Sequence, residues 1–343
     1  MTKKIKAAVV GVHGFGKFHA EEFAKNELAE LVAVCDINEE YARECGEKYA
    51  VKYVTNFDDI LNDPNINAVS IALPDQLHCE YVVRALKAGK DVLCEKPLAL
   101  KLDQCKEMIR VSKETGKYLM VGQICRFTPS FAKAKELVDA GEIGEIFFVE
   151  SEYAHDYSHM ECEWRKNDPE RDGMIGGACH AVDLLRWIAG NPTEVSAYAN
   201  HKMLPDWPTN DCTIAIFKFP NNVIGKVFCS TGCKRPYTMR TVLYGSKGTI
   251  IVDNTSSRFT VFKSDYMGSD EILGIGAVGT EINLPVVVNN HNITGEVNEF
   301  CACINEGRQP VLSAEAGAAT VSICLAAIES AKKGGPVNID YNF

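Results

Sequence analysis

Residues 11–19 read GVHGFGKFH and follow the apolar run AAVV at 7–10. In the pattern G-x-G-x-x-G the first glycine makes a tight turn. The second lets a pyrophosphate approach the backbone, and the third lets a helix pack close to the strand. Gly11 and Gly16 hold the first and third places, His13 holds the second, and Gly14 comes one residue later. An ordinary glycine-rich turn is the rival reading. Context favours the nucleotide loop: a strand-like run precedes it, helix-like residues 15–25 follow, and LVAVCD at 31–36 ends in Asp36. Asp36 lies 20 residues after Gly16, the spacing at which a carboxylate meets ribose hydroxyls. Loop amides and the helix N-terminus suit the pyrophosphate. A carboxylate at Asp36 repels a 2′-phosphate, and Ile37 and Asn38 supply no cation, so NAD(H) is expected over NADP(H).

Working outward, IKAAVVG, LVAVCD, AVSIAL, DVLCEK and YLMVGQ alternate with helix-like segments at 15–25, 38–49, 78–88 and 102–115. This alternation predicts βαβ units and a doubly wound, Rossmann-type parallel sheet over residues 1–123. From about residue 125 the texture changes. A helix over PSFAKAKELVDAGEIGE precedes longer alternating runs such as EIFFVESEYAH, CTIAIFKF and VIGKVFCS. HAVDLLRWIAG reads as an interrupting helix, and two more helices are expected at about 293–305 and 313–333. Residues 124–343 are therefore expected to form a second α/β domain with a mostly antiparallel open sheet.

The length of 343 residues exceeds what one ordinary core supports, which agrees with two domains. Hydrophobic and charged contents of 46% and 24% are those of a globular protein, and the net charge of −10 argues against a nucleic-acid binder. No apolar run is read as approaching the roughly 20 residues of a bilayer span. MTKKIKAAVVG has too short an apolar part for a signal peptide and reads as the first strand. The fourteen cysteines are scattered and form no C-x-x-C, which points to reduced thiols in the cytoplasm. HDYSHMEC gathers His155, His159 and Cys162 but offers no fourth ligand, so no metal site is expected.

Two further segments carry chemistry. DVLCEKPLAL places Glu95, Lys96 and Pro97 at the carboxyl end of a buried strand, the edge where open α/β sheets bind ligands. A cis bond before Pro97 would aim Lys96. The rival reading is a solvated lysine before a helix-starting proline. IGGACHAVDLLRW places His180 and Asp183 one helical turn apart, so both could face one cleft, and a histidine there suits proton transfer near neutral pH. The rival is a histidine satisfied locally at a helix start.

In order, GVHGFGKFHA, VAVCD, LPDQLHCEYVVRALKAGKDVLCEKPLAL, VGQICRFTPSFAKAKELVDAGEIGEI and GGACHAVDLLRWIAG resemble the Gfo/Idh/MocA oxidoreductases over nearly the whole chain. The segment from Ala85 to Pro97 is the most specific part. The resemblance implies an NAD-binding first domain and a substrate-binding, oligomerising second domain. It implies cofactor contacts at Gly11, His13, Gly14, Phe15, Gly16, Asp36, Pro74, Asp75, His78, Glu95, Lys96, Gln123 and Arg126. The last two fall where the family's chain crosses between domains. Asp75 stands where the family has asparagine. Lys96 and His180 take the catalytic places, and Lys96, Arg126, His155, Tyr157, Trp164 and Asp183 become substrate candidates. Trp164 and Arg165 match a W-R pair near the cofactor.

One departure touches the chemistry. The family's aspartate four residues before the histidine is Gly176 here, and Asp172 and Asp183 do not hold the matching place. The implied activity is hydride transfer between a secondary alcohol of a sugar, polyol or related compound and nicotinamide. Two alternatives stand beside it: glycoside cleavage through transient C3 oxidation and elimination, and a non-catalytic dinucleotide sensor. Both apolar parities in IAIFKF and VIGKVF predict a sheet face covered in a homodimer or homotetramer.

Overall fold

The computed structural model describes residues 4–264, 279–288 and 291–343. The elements run β1 (Ile5–Val10), α1 (Gly16–Lys25), β2 (Ala29–Cys35), α2 (Glu39–Tyr49), β3 (Lys52–Val54), α3 (Asp58–Leu61), β4 (Ala68–Ile71), α4 (His78–Lys87), β5 (Asp91–Cys94), α5 (Leu102–Thr115), β6 (Leu119–Val121) and α6 (Pro129–Asp139). They continue with β7 (Ile146–Ala154), α7 (Glu163–Lys166), α8 (Gly173–Gly176), α9 (Cys179–Ala189), β8 (Glu194–Asn200), β9 (Cys212–Lys218), β10 (Ile224–Ser230), β11 (Thr238–Gly245), β12 (Gly248–Asp253), β13 (Arg258–Ser264) and β14 (Gly279–Pro285). The chain closes with α10 (Ile293–Glu306), α11 (Ala314–Lys333) and β15 (Val337–Asn338).

The first compact unit comprises residues 1–124, 293–321 and 341–343. Its six strands lie in the order β3-β2-β1-β4-β5-β6, all parallel. The fully apolar runs at Ala7–Val10 and Val92–Cys94 follow from this, because helices cover both faces of a doubly wound sheet. The strand order reverses between β1 and β4, so the carboxyl end of β1 lies at the topological switch point.

A division of the chain at 123/124 is corrected by residues 293–321 and 341–343, which return to the first unit. The reason is apolar packing and an extended edge. Phe23 on α1 meets Phe300 on α10 edge-on at 6.3 Å, and both are fully buried. The Val121 N–H donates to the Leu312 carbonyl at 2.9 Å, and Met120 bridges Ser313, so the segment after α10 extends the β6 edge.

The second unit comprises residues 125–292 and 322–340. Its sheet runs β14-β13-β12-β11-β7-β10-β9-β8-β15, antiparallel throughout except where β7 meets β10. Helix α9 packs on β7, β10 and β11 through buried Val182, Leu184 and Leu185. On the opposite parity Tyr198, Ile214, Ile216 and Ile224 stand exposed. The alternation in IAIFKF is thus real, but both of its parities are apolar.

Helix α11 is long and apolar enough to cross a membrane by length and composition. This corrects the expectation that no segment approaches that length. Two thirds of its most apolar stretch (67%) is buried inside the protein, as in a core helix. All fourteen cysteines are free thiols, most of them buried.

Candidate functional site

The glycine loop closes as the motif demands. Gly11 has φ +84°, and a Cβ there would fall 2.5 Å from the Ala72 carbonyl oxygen. A Cβ on Gly16 would fall 1.8 Å from the Gly11 carbonyl oxygen, so only glycine admits this approach of helix to strand. Gly14, at φ +69°, faces open space and supplies the positive φ that His13 does not. Asp36 is buried and its carboxylate serves the loop: Oδ2 accepts from the Val12 and His13 amides at 2.9 and 3.2 Å, and Oδ1 from the Asn38 amide at 3.0 Å. The exposed His13 ring stacks on Tyr41 at 4.0 Å and 12°, which holds it against α2. Phe15 precedes α1, whose first turn has no acidic side chain to compete with an anion.

The next strands of the same sheet end in the E-K-P and P-D-Q-L-H segments. The Lys96–Pro97 peptide is cis, and the half-buried Lys96 donates its N–H to Glu95 Oε2 at 3.2 Å. His78, following Pro74 and buried Asp75, is itself fully buried. Its ring nitrogens face the Pro97 and Leu73 carbonyls at 2.8 and 3.0 Å. His78 thereby ties the β4 turn to the β5 turn. Gln123 is buried, with its side-chain oxygen unbonded.

Behind Lys96 lies a group that sequence reading missed. Glu95 Oε1 meets His19 Nε2 at 3.1 Å, His19 Nδ1 meets Ser70 Oγ at 2.9 Å, and Glu296 arrives from α10. All three titratable groups are buried, and their nearest polar atoms lie within 4.8 Å of one another. Burial pushes the Glu296 carboxyl up to about 8. Burial also works to raise Glu95, but the His19 hydrogen bond and the charges of His19 and Lys96 outweigh it and hold the group below its usual value. Burial opposes charge on His19 as well, yet the hydrogen bond to Glu95 and the charges of Glu296 and Glu95 raise it. Among the described residues this is the one group with the composition of a metal centre. Both His19 nitrogens are already hydrogen-bonded within the protein.

In the second unit His180 stands in the first turn of α9, buried, with its ring 6.1 Å from that of His291. His291 stacks on Tyr237 at 5.7 Å, and Tyr237 lies 4.9 Å from His155. The Tyr153 hydroxyl is bonded to the Tyr157 hydroxyl at 2.8 Å and to His155 Nδ1 at 3.2 Å. The fold thus brings His155 and Tyr157 into one aromatic cluster with Tyr153 and Tyr237, and His180 reaches it through His291. His159 is exposed.

Asp183, one turn further along α9, is held by arginines. Its carboxylate takes the Arg126 fork at 2.6 and 2.6 Å and Arg186 at 3.3 Å, and Arg126 lies over the Trp187 ring. Asp172 caps α8, accepting from the Met174 amide at 2.9 Å. Gly176 is packed against Arg171: a Cβ there would fall 2.5 Å from Nη1, and Nη2 donates to the Gly176 carbonyl at 3.1 Å. Trp164 lies over both Arg165 and Arg171.

A parallel sheet with a glycine loop at its switch point, an acid at the end of β2 and a lysine after β5 defines a dinucleotide-dependent oxidoreductase. Residues 5–123 match the oxidoreductase family model with an NAD-binding Rossmann fold, and residues 131–251 match the GFO/IDH/MocA C-terminal domain. The chain belongs to the GFO/IDH/MocA family of oxidoreductases with an NAD-binding Rossmann fold. It is 27% identical over 350 residues to scyllo-inositol 2-dehydrogenase (NAD(+)) of Bacillus subtilis, covering 99% of this chain and 98% of that one. It superposes on levoglucosan dehydrogenase in complex with NADH with a TM-score of 0.87, at 23% identity over 98% and 100% of the two chains. It superposes on myo-inositol 2-dehydrogenase from Lactobacillus plantarum with a TM-score of 0.84, at 24% identity over 98% and 100%.

Proposed function

We propose that the chain reversibly oxidises a secondary alcohol on a ring polyol or sugar. The observation that carries this reading is the row formed by the glycine loop after β1, Asp36 after β2 and Lys96 after β5, all on the carboxyl edge of one parallel sheet. Gly11, His13, Gly14, Phe15 and Gly16 are the residues to hold the pyrophosphate. Asp36 takes the ribose, and Pro74, Asp75, Glu95, Gln123 and Arg126 are the remaining cofactor candidates. NAD, when bound, supplies the hydride acceptor. His180 or Lys96 takes the hydroxyl proton, and the Lys96 ammonium stabilises the developing alkoxide. His155, Tyr157 and Trp164 are the polar and aromatic groups for the ring. Arg126 and Asp183 enter together, as a pair. The inositol and levoglucosan specificities named for similar proteins support a ring substrate.

The test is a screen of inositols, sugars, aminosugars and glycosides with NAD, following NADH absorbance and product identity. Net NADH with a ring polyol or sugar is the expected result. Glycoside cleavage without net NADH replaces this reading by elimination, and tight NAD binding without any turnover replaces it by a sensor. The exposed apolar parity of β8, β9 and β10 supports a homodimer or homotetramer joined across that face, and light scattering showing a monomer at micromolar concentration refutes it. The free thiols support a cytoplasmic home.

A further inference from the structure

We propose that His19, Glu95 and Glu296 form a buried proton-holding cluster behind Lys96, with Glu296 a neutral carboxylic acid and His19 a cation. Glu296 is then a positioning residue: the proton it keeps sets the charge beside Lys96. The inference about Lys96 rests on the oxidoreductase reading above, whereas the inference about the proton does not.

The geometry leads here first. The groups come from three elements, His19 on α1, Glu95 and Lys96 after β5, and Glu296 on α10. Ser70 on β4 contributes a hydroxyl, and Gly122 after β6 contributes backbone only. A Cβ on Gly122 would lie 2.7 Å from Glu296 Oε1 and 3.1 Å from Glu95 Oε1, so the two carboxyl groups meet over a residue that has no side chain. Neither Glu296 oxygen has a hydrogen-bond partner. A carboxylate with two bare oxygens in a dry interior is the costliest form this group can take. One proton on Glu296 removes that charge and creates a donor beside the Glu95 carboxylate. His19 as imidazolium then balances Glu95, so the cluster is neutral and Lys96 faces a single carboxylate. The direction in which burial moves Glu296, up to about 8, agrees with this assignment. Once that proton leaves, Lys96 faces two carboxylates instead of one, and the charge beside the reacting alcohol changes with it.

Infrared spectroscopy of the full chain without added cofactor tests the proton directly. A protonated carboxyl band is expected at pH 7, titrating away near pH 8 and missing in Glu296→Gln. Absence of the band, or its persistence in Glu296→Gln, overturns the proposal. So does a stoichiometric metal ion in the purified chain that abolishes the band. With a polyol that is turned over, wild-type kcat should change by up to about tenfold between pH 7 and pH 9, following the protonated fraction, with KM unchanged. Glu296→Gln should flatten that transition. An unaltered transition in the variant overturns the link to Lys96. A band that titrates as expected in a protein that turns over no polyol leaves the cluster standing and removes the dehydrogenase reading.

Discussion

The two units each bury a carboxylate, and they neutralise it differently. In the second unit Asp183 lies in the fork of Arg126 with Arg186 beside it. A guanidinium keeps its charge throughout the working pH range, so this pair is a fixed strut. In the first unit Glu95 and Glu296 have His19, a group that titrates, and a proton. That centre responds to pH. The lesson is that burial alone does not say what a carboxylate does; the chemistry of its counter-charge does. Arg126 was read from its place where the family's chain crosses between domains and Asp183 from its helical spacing to His180; the structure pairs the two. Glu95 was read as a cofactor contact; the structure adds its hydrogen bond to His19.

The sharpest break of the comparison is at the groups with chemistry to do. Lys96→Ala and His180→Ala are each expected to lower kcat by ~10²–10⁴, the usual worth of positioned proton transfer. Steady-state kinetics on any turned-over polyol measures this, and intact turnover in both variants refutes the assignment. Asp183→Ala should act on stability, because it takes the carboxylate away from the half-buried Arg126 guanidinium. A loss of ~3–5 kcal/mol is expected in denaturant unfolding. A loss below ~1 kcal/mol would mean that the pair is as inconsequential as a surface ion pair.

The pH response separates the two centres next. Glu296 has a folded pKa of about 8 against an ordinary 4.5, so between these values the native state binds the extra proton. Stability contributed by that proton is complete below about pH 4.5 and is lost as pH rises through about 8. His19, raised above 6.5, acts in the same direction on the alkaline side. Each such proton gives a slope of ~1.4 kcal/mol per pH unit within its window. The Tm of Glu296→Gln relative to wild type should therefore climb from pH 5 to pH 9. A constant difference would place the proton elsewhere.

The glycine loop, Asp36 and Lys96 were legible because their signals are local: spacing within one βαβ unit and the punctuation of strand ends. Helix bounds were legible for the same reason. The His19–Glu296 contact was not, because its partners lie near opposite ends of the chain. One signal was available: Glu296 occupies the apolar stripe that it shares with Phe300 and Cys303, a charged residue on a buried helix face. The His180 surroundings were half legible. The sequence reading included His155 and Tyr157, but Tyr237 and His291 arrive from loops distant in sequence. The return of residues 293–321 to the first unit had no local mark either, since packing of Phe300 on Phe23 is visible only once the sheet exists.

Gly176 is where sequence and structure teach most about the second unit. The missing aspartate looked like a gap in the chemistry. The fold puts the buried Arg171 guanidinium against that glycine, with Trp164 over it, so the space is taken. Gly176→Asp would restore the family's residue and set its Cβ 2.5 Å from a guanidinium nitrogen. Arg171 is buried and must shift to make room. The expected cost is ~1–3 kcal/mol, typical of overpacking, offset in part by the new opposite charge. This effect is the smallest. A variant at least as stable as wild type would show that Arg171 yields and forms a pair like Arg126–Asp183. In that case the second unit would hold two guanidinium struts, and its difference from the proton-sharing first unit would sharpen.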